Sequence, residues 1–60
     1  GGDVLLIQNR LRAAGFFHGE CNGRFGPVTE QAMKAFERQN GLPVDGVVGY
    51  HDYRALGLLE

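Results

Sequence analysis

The stretch NGRFGPVTEQAM at residues 22–33 returns as DGVVGYHDYRAL at residues 45–56, at an offset of 23 residues. Both copies follow the pattern Asx-Gly-x-apolar-Gly-x-x-(Thr/Asp)-x-x-Ala-apolar. The Asx-Gly pair predicts a tight turn, because the Asx side chain bonds its own backbone and Gly supplies a positive φ. The second Gly lets the chain turn into a helix. The repeat therefore predicts two turn-then-helix units related by a pseudo-twofold axis.

Equivalent residues of the two copies are expected to play equivalent roles. The apolar residue of each turn, Phe25 or Val48, is predicted to point into the core. Thr29 or Asp52 stands where a side chain can satisfy the free amides of a first helical turn. A first helix, upstream of the repeat, then forms the third wall of the bundle.

Helical spacing of apolar residues extends the prediction to the rest of the chain. The first helix is expected over about residues 4–14, with Asp3 as N-cap and Gly15 as the left-handed residue that ends it. The second is expected to begin near Pro27 and to be stopped by Gly41, and the third to run from Tyr50 or His51 to Leu56. The predicted inward residues are Val4, Ile7, Gln8, Leu11 and Ala14, then Thr29, Ala32, Met33, Phe36 and Asn40, then Ala55 and Leu56. Leu58 and Leu59 are expected to fold back over Leu5 or Leu6.

Length and composition limit what such a chain does. Its 60 residues, 43% of them hydrophobic, allow one all-α three-helix domain over 1–60, with its core at about 4–56, cut from a larger protein. That core leaves no volume for an enclosed active site, so we expect no catalytic residue and no cofactor. The net charge of −1 and six scattered basic residues disfavour nucleic acid as a partner. No apolar run reaches the roughly 20 residues that span a bilayer, so no membrane partner is expected.

Aromatic and histidine side chains near the two turns are the best candidates for ligand contact, since ligands are commonly held by an apolar face with a few placed donors. We expect His18, Arg24, Tyr50 and His51 to gather around one shallow groove if the two turns are neighbours. Phe17 and Tyr53 complete the predicted set. The alternative for each residue is an ordinary place on the surface or in the core, and Arg24 is a solvated arginine in that case.

Two polar features have simpler interpretations. Gln8 lies on an apolar stripe, where a buried amide needs partners, so we expect it to tie down the backbone of a repeat turn. Cys21 is the only cysteine, so no internal disulfide forms. His18, Cys21, His51 and Asp52 are ligand types for zinc, but a structural site needs four converging ligands, and we expect no metal.

The chain resembles the peptidoglycan-binding domain family, the type-1 module of bacterial wall hydrolases. The matching positions are Val4, Ile7, Gln8, Leu11 and Gly15; Asn22, Gly23, Phe25, Gly26, Thr29, Ala32, Met33, Phe36, Gly41 and Leu42; and Asp45, Gly46, Val48, Gly49, Ala55 and Leu56. Three positions depart from the family pattern: Asn22 replaces Asp, Glu37 replaces Gln, and Asp52 replaces Thr. The first two changes would alter ligand contacts if those positions touch ligand.

The resemblance implies non-covalent binding to peptidoglycan, through its glycan strand, its stem peptide or both, by a module covalently linked to a catalytic domain. That domain would be an amidase, a peptidase or a lytic glycosidase, and the protein would lie outside the cell or in the wall. The fold also resembles metalloprotease pro-domains, which leaves a regulatory or protein-interaction module as the alternative. Such pro-domains use a metal-binding cysteine downstream, whereas Cys21 precedes the second helix.

Overall fold

A computed structural model describes residues 2–59, which form three helices. The helices are α1 (Gly2–Ala13), α2 (Pro27–Gln39) and α3 (Tyr50–Ala55). Within residues 2–59 there is no β-strand, so the all-α prediction is confirmed. Asp3 was predicted as an N-cap, but it lies inside α1 because the helix already begins at Gly2.

All three helices end in the same way. The glycines that follow them, Gly15, Gly41 and Gly57, have φ of 88°, 69° and 77°. In each case the amide of the next residue donates to the carbonyl five residues earlier, at 2.8, 2.8 and 2.9 Å. This is the Schellman arrangement, which only a left-handed residue permits and which satisfies the free carbonyls of the last turn.

The residue after each of these glycines is apolar and returns the chain to the core. Phe16, Leu42 and Leu58 are half-buried against the core cluster, and Phe16 meets Phe36 edge-to-face with ring centroids 5.7 Å apart. Leu58 and Leu59 line a depression with Leu6, as expected. Helix termination and core packing are therefore coupled at all three ends.

The core lies where the three helices meet. Its buried apolar members are Ile7, Leu11, Phe17, Ala32, Met33, Phe36 and Leu56. Six of the twelve predicted inward residues are among them, Gln8 and Thr29 are buried polar residues, and Val4 is half-buried.

Three residues predicted to face inward are exposed, namely Ala14, Asn40 and Ala55. Ala14 and Asn40 lie beyond the last residues of α1 and α2, and the Asn40 amide donates to the Phe36 carbonyl at 2.9 Å. Ala55 points outward because the six-residue α3 buries Asp52 and Leu56 instead.

The two apolar turn residues differ from each other. Val48 is half-buried against the core, as predicted, but Phe25 is 39% exposed. Phe25 lines a surface depression with Val4 and Val47 instead of entering the core, so that prediction is wrong.

Candidate functional site

The two Asx-Gly turns of the repeat have the same local geometry. Gly23 and Gly46 have φ of 77° and 71°. The Asn22 side-chain oxygen accepts from the Arg24 amide at 2.9 Å, and the Asp45 carboxylate accepts from the Val47 amide at 2.9 Å. We call the segments 22–26 and 45–49 the first and second corners. Their local equivalence agrees with the predicted repeat, whereas the twofold relation between the units stays a prediction.

Each corner is held by one buried side chain from the preceding helix. At the first corner, Gln8 Oε1 accepts a hydrogen bond from the Gly23 amide at 2.9 Å. At the second corner, Glu37 Oε1 accepts hydrogen bonds from the Gly46 and Asp45 amides at 3.0 and 3.2 Å. The prediction that Gln8 ties down a turn is confirmed, and Glu37, not predicted as a core residue, does the same for the second turn.

A second side chain contacts each corner, and it belongs to the third residue of the following helix, Thr29 in α2 and Asp52 in α3. Gln8 Nε2 donates to the Thr29 hydroxyl and to the Arg24 carbonyl, both at 2.9 Å. Thr29 was predicted to cap first-turn amides, but its hydroxyl pairs with Gln8 and with the Arg24 carbonyl instead. Asp52 does satisfy an amide, since its carboxylate accepts from Gly49 at 2.8 Å.

Burial shapes the electrostatics of the second corner. Glu37 is fully buried, and removal from water raises the pKa of its carboxyl above the ordinary value of 4.5. The Gly46 and Asp45 amides act in the opposite direction by stabilising the charged form, and the neighbouring Asp52 carboxyl raises the pKa further. The net effect is a pKa of Glu37 above its ordinary value.

A groove runs along the first corner and the start of α2. It consists of a depression of about 320 Å³ and an adjoining one of about 600 Å³, which share Gly19, Pro27 and Val28. We call it the first-corner groove; its polar and apolar walls include His18, Glu20, Asn22, Arg24, Val28 and Gln31. Val28 is 61% exposed, which gives the groove an apolar face beside its polar groups. A volume of this size accommodates a small ligand.

A smaller depression of about 140 Å³ lies at the second corner. Each of its lining residues stands 23 positions after a residue that lines the 320 Å³ depression of the first-corner groove; they are Pro43, Asp45, Val47, Gly49, Tyr50, His51 and Asp52. Tyr50 is 64% exposed and stacks edge-to-face on His51 with centroids 5.6 Å apart. The second corner thus presents an aromatic pair over a volume less than half that of its counterpart.

The corners themselves are neighbours, because Phe25 from the first and Val47 from the second line one apolar cleft of about 330 Å³ together with Tyr53. The predicted ligand residues are not gathered there. His18 and Arg24 lie in the first-corner groove, whereas Tyr50 and His51 lie in the second depression, which shares no lining residue with that groove. Ligand contact by these residues stays a prediction.

Phe17 differs from the other predicted residues because it is only 2% exposed and belongs to the core. It supports the floor of the first-corner groove. Sequence reasoning missed Glu20, Val28 and Gln31 as groove residues. Val28 carried a signal, since it is an apolar residue of α2 outside the inward stripe.

Cys21 and the possible zinc ligands were the remaining candidates for a site. Cys21 is half-buried against the core. Among residues 2–59, no three His, Cys, Asp or Glu side chains are placed to hold a metal ion. None of the helices in the described part of the chain is long and apolar enough to cross a membrane.

Comparisons with known proteins give consistent matches. The family model described as "Putative peptidoglycan binding domain" matches residues 1–56. The chain is 39% identical over its full length to an N-acetylmuramoyl-L-alanine amidase, CwlM, of Mycobacterium tuberculosis, and covers 15% of that protein. It is 45% identical over 49 residues, 82% of the chain, to a spore cortex-lytic enzyme of Bacillus cereus, of which it covers 19%.

A solved structure shares the fold. The crystal structure of the SleB N-terminal domain matches with a TM-score of 0.93 and 40% identity, over 95% of this chain and 78% of that one. The likeness therefore extends to the whole three-helix arrangement, whereas the chain spans less than a fifth of the length of the two enzymes named above.

Proposed function

The chain belongs to the peptidoglycan-binding domain family, and from that premise we propose that it is a non-catalytic module that holds a linked wall hydrolase on its polymer. The names of the relatives support this proposal, since they are an amidase and spore cortex-lytic enzymes. A module that binds the polymer raises the effective concentration of substrate for the attached domain, so a weak intrinsic affinity is sufficient. Such a protein would work outside the cell or within the wall.

We place the main ligand contact in the first-corner groove. The observation that carries this choice is the state of Arg24, which is exposed in that groove. Within residues 2–59 the ion pair is Lys34 with Glu30, and Arg24 has no carboxylate partner of its own. A guanidinium binds carboxylates through two parallel hydrogen bonds, and a stem peptide offers carboxylates.

The rest of the groove suits the other parts of such a ligand. Val28 provides an exposed apolar face, and Asn22 and Gln31 provide amide donors and acceptors beside it. His18 lines the 600 Å³ depression of the groove. Tyr50 and His51 form a second, smaller contact, with Tyr53 in the cleft between the corners.

Co-sedimentation with purified peptidoglycan sacculi tests the proposal. We expect the wild-type chain to pellet with sacculi, and Arg24→Ala to pellet at least several-fold less. Arg38→Ala is the matched control, because Arg38 is also an exposed arginine but lies at the opposite end of α2 from the groove. Raising the salt concentration should weaken wild-type binding more than that of Arg24→Ala, since the lost contact is ionic.

Two results would count against the proposal at different levels. If the wild type stays in the supernatant at every salt concentration, the chain is not a wall-binding module. If it pellets and Arg24→Ala pellets equally well, the module binds the wall through another surface, and the assignment of the first-corner groove is wrong.

A further inference from the structure

At each corner, one buried side chain from the preceding helix meets the third residue of the following helix, but the chemistry of that meeting differs between the corners. At the first corner, a hydrogen of the Gln8 amide joins Gln8 to the Thr29 hydroxyl at 2.9 Å. At the second corner, the corner-holding side chain is Glu37, and the residue 23 positions after Thr29 is Asp52. Two carboxyl groups thus stand in place of an amide and a hydroxyl, and neither carries a hydrogen when both are ionised.

The carboxyl groups of Glu37 and Asp52 each have one oxygen that is hydrogen-bonded to the backbone and one that has no partner among residues 2–59. One oxygen of each group accepts backbone amides: Glu37 Oε1 accepts from Gly46 at 3.0 Å, and Asp52 Oδ2 accepts from Gly49 at 2.8 Å. The other two, Glu37 Oε2 and Asp52 Oδ1, are buried with no hydrogen-bond partner within residues 2–59. Glu37 is 0% and Asp52 6% exposed, so water does not compensate. The Asp52 carboxyl lies within interaction range of the Glu37 carboxyl. Two adjacent buried negative charges without a donor are strongly unfavourable.

We propose that Glu37 and Asp52 share one proton, which does at the second corner what the amide hydrogen of Gln8 does at the first, and which makes the stability of this corner depend on pH. The proton lies between Glu37 Oε2 and Asp52 Oδ1. It links α2 to α3, while the two remaining oxygens hold the corner backbone and the start of α3. This inference concerns the stability of the domain and does not depend on the proposed function.

Among residues 2–59, the surrounding charged groups provide no alternative partner for the two unpaired oxygens. Lys34 and Glu30 lie beside Gly46 on α2, where they pair with each other at 3.2 Å. The Asp45 carboxylate accepts the Val47 amide within the corner. On α3, the His51 ring stacks on Tyr50. From α1, the Arg10 guanidinium lies near Gly57, beyond the end of α3.

The direction of the pH effect follows from the raised pKa of Glu37. A carboxyl with a raised pKa in the folded state holds its proton at pH values where the unfolded chain has lost it. Its stabilising contribution is complete below the unfolded value of about 4.5 and is lost as the pH rises through the folded pKa. Between those two values the folding equilibrium constant falls by up to about tenfold per pH unit.

Backbone NMR of the wild-type chain tests the proton directly. The Gly46 amide donates to Glu37, whereas the Gly23 amide donates to the uncharged Gln8, so the first corner is an internal control. We expect the Gly46 amide shift to titrate with a midpoint above 4.5, and the Gly23 amide shift to show no such midpoint. A Gly46 midpoint at or below 4.5 would overturn the proposal.

Two isosteric variants test the energetic consequence. Glu37→Gln and Asp52→Asn each supply the missing hydrogen from an amide, so each should flatten the loss of stability above pH 4.5 that the wild type shows. Glu20→Gln, which removes an exposed carboxylate, should leave the wild-type pH profile intact. Urea unfolding at a series of pH values measures the free energy of unfolding of each variant. The shared proton is refuted if Glu37→Gln keeps the wild-type slope of the free energy of unfolding against pH, or if Glu20→Gln removes that slope. If the variants do not fold, the amide titration of the wild type decides.

Discussion

Gln8→Leu is the substitution that most directly tests how the first corner is held. Gln8 is 1% exposed, and Leu has a similar volume, so the change leaves little cavity and mainly removes polar contacts. The Gly23 amide loses its acceptor, and the Arg24 carbonyl and Thr29 hydroxyl lose their donor. The Asn22 side chain, 3.2 Å from Gln8 Nε2, competes for the same two hydrogens and adds no further full bond.

The expected loss follows from these contacts. The Gln8 head group makes three full hydrogen bonds, one as acceptor and two as donor. At about 1 kcal/mol each, their loss lowers the free energy of unfolding by about 3 kcal/mol. A domain of 60 residues has a total stability of roughly 3 to 9 kcal/mol, so the variant should be near the limit of folding.

Urea unfolding followed by circular dichroism measures this difference. Gln39→Leu is the control, because Gln39 is an exposed glutamine in the last turn of α2, where the same substitution should change stability by less than about 0.5 kcal/mol. The slope of free energy against urea should stay the same in both variants, which shows that the folded state remains equally compact. A Gln8→Leu loss of under about 1 kcal/mol would refute the view that this side chain holds the corner.

Three further outcomes follow from the structure. Gly15→Ala should lower the free energy of unfolding by about 1 to 2 kcal/mol through the positive φ alone, because no atom lies within 4 Å of the added methyl group. Gly26 is equally open but has a φ of −117°, so Gly26→Ala should lower the free energy of unfolding by only about 0.5 kcal/mol. Thermal unfolding measures both variants. Met33→Ala should lose about 2 to 5 kcal/mol in the same assay, since Met33 is 0% exposed in the core. Tyr50→Ala should reduce pelleting with sacculi less than Arg24→Ala does, because the second-corner depression is less than half as large, and the reverse order would move the main contact to the second corner.

The backbone of the fold was predictable from local chemistry. Gly15 and Gly41 after the first two helices, Pro27 at the start of α2 and the two Asx-Gly pairs each impose a conformation within a few residues, and all of them appear where the sequence indicated. The helical spacing of Ile7 and Leu11 also placed the core stripe of α1 correctly. Signals of this kind depend on one residue and its neighbours, so no knowledge of the tertiary structure is required.

The polar core and the site were less predictable. Glu37 falls on the same stripe as Met33, yet a glutamate is not expected to be buried unless its partners are known, and those partners come from another segment. The grouping of His18, Arg24 and Tyr50 failed as a prediction of a single groove because the two corners meet through Phe25 and Val47 instead. Which faces of two adjacent turns point toward each other depends on the packing angle, and the sequence pattern does not encode it locally.

The two corner-holding side chains also suggest an order of assembly. Glu37 reaches amides only 8 and 9 residues away, and Asp52 reaches one 3 residues away, whereas Gln8 reaches partners 14 to 21 residues away. Closing a longer loop carries a larger entropic penalty, and contacts between distant residues slow folding. We therefore expect α2, the second corner and α3 to nucleate first, and α1 to dock onto them late, so that substitutions in α1 accelerate unfolding more than they retard folding.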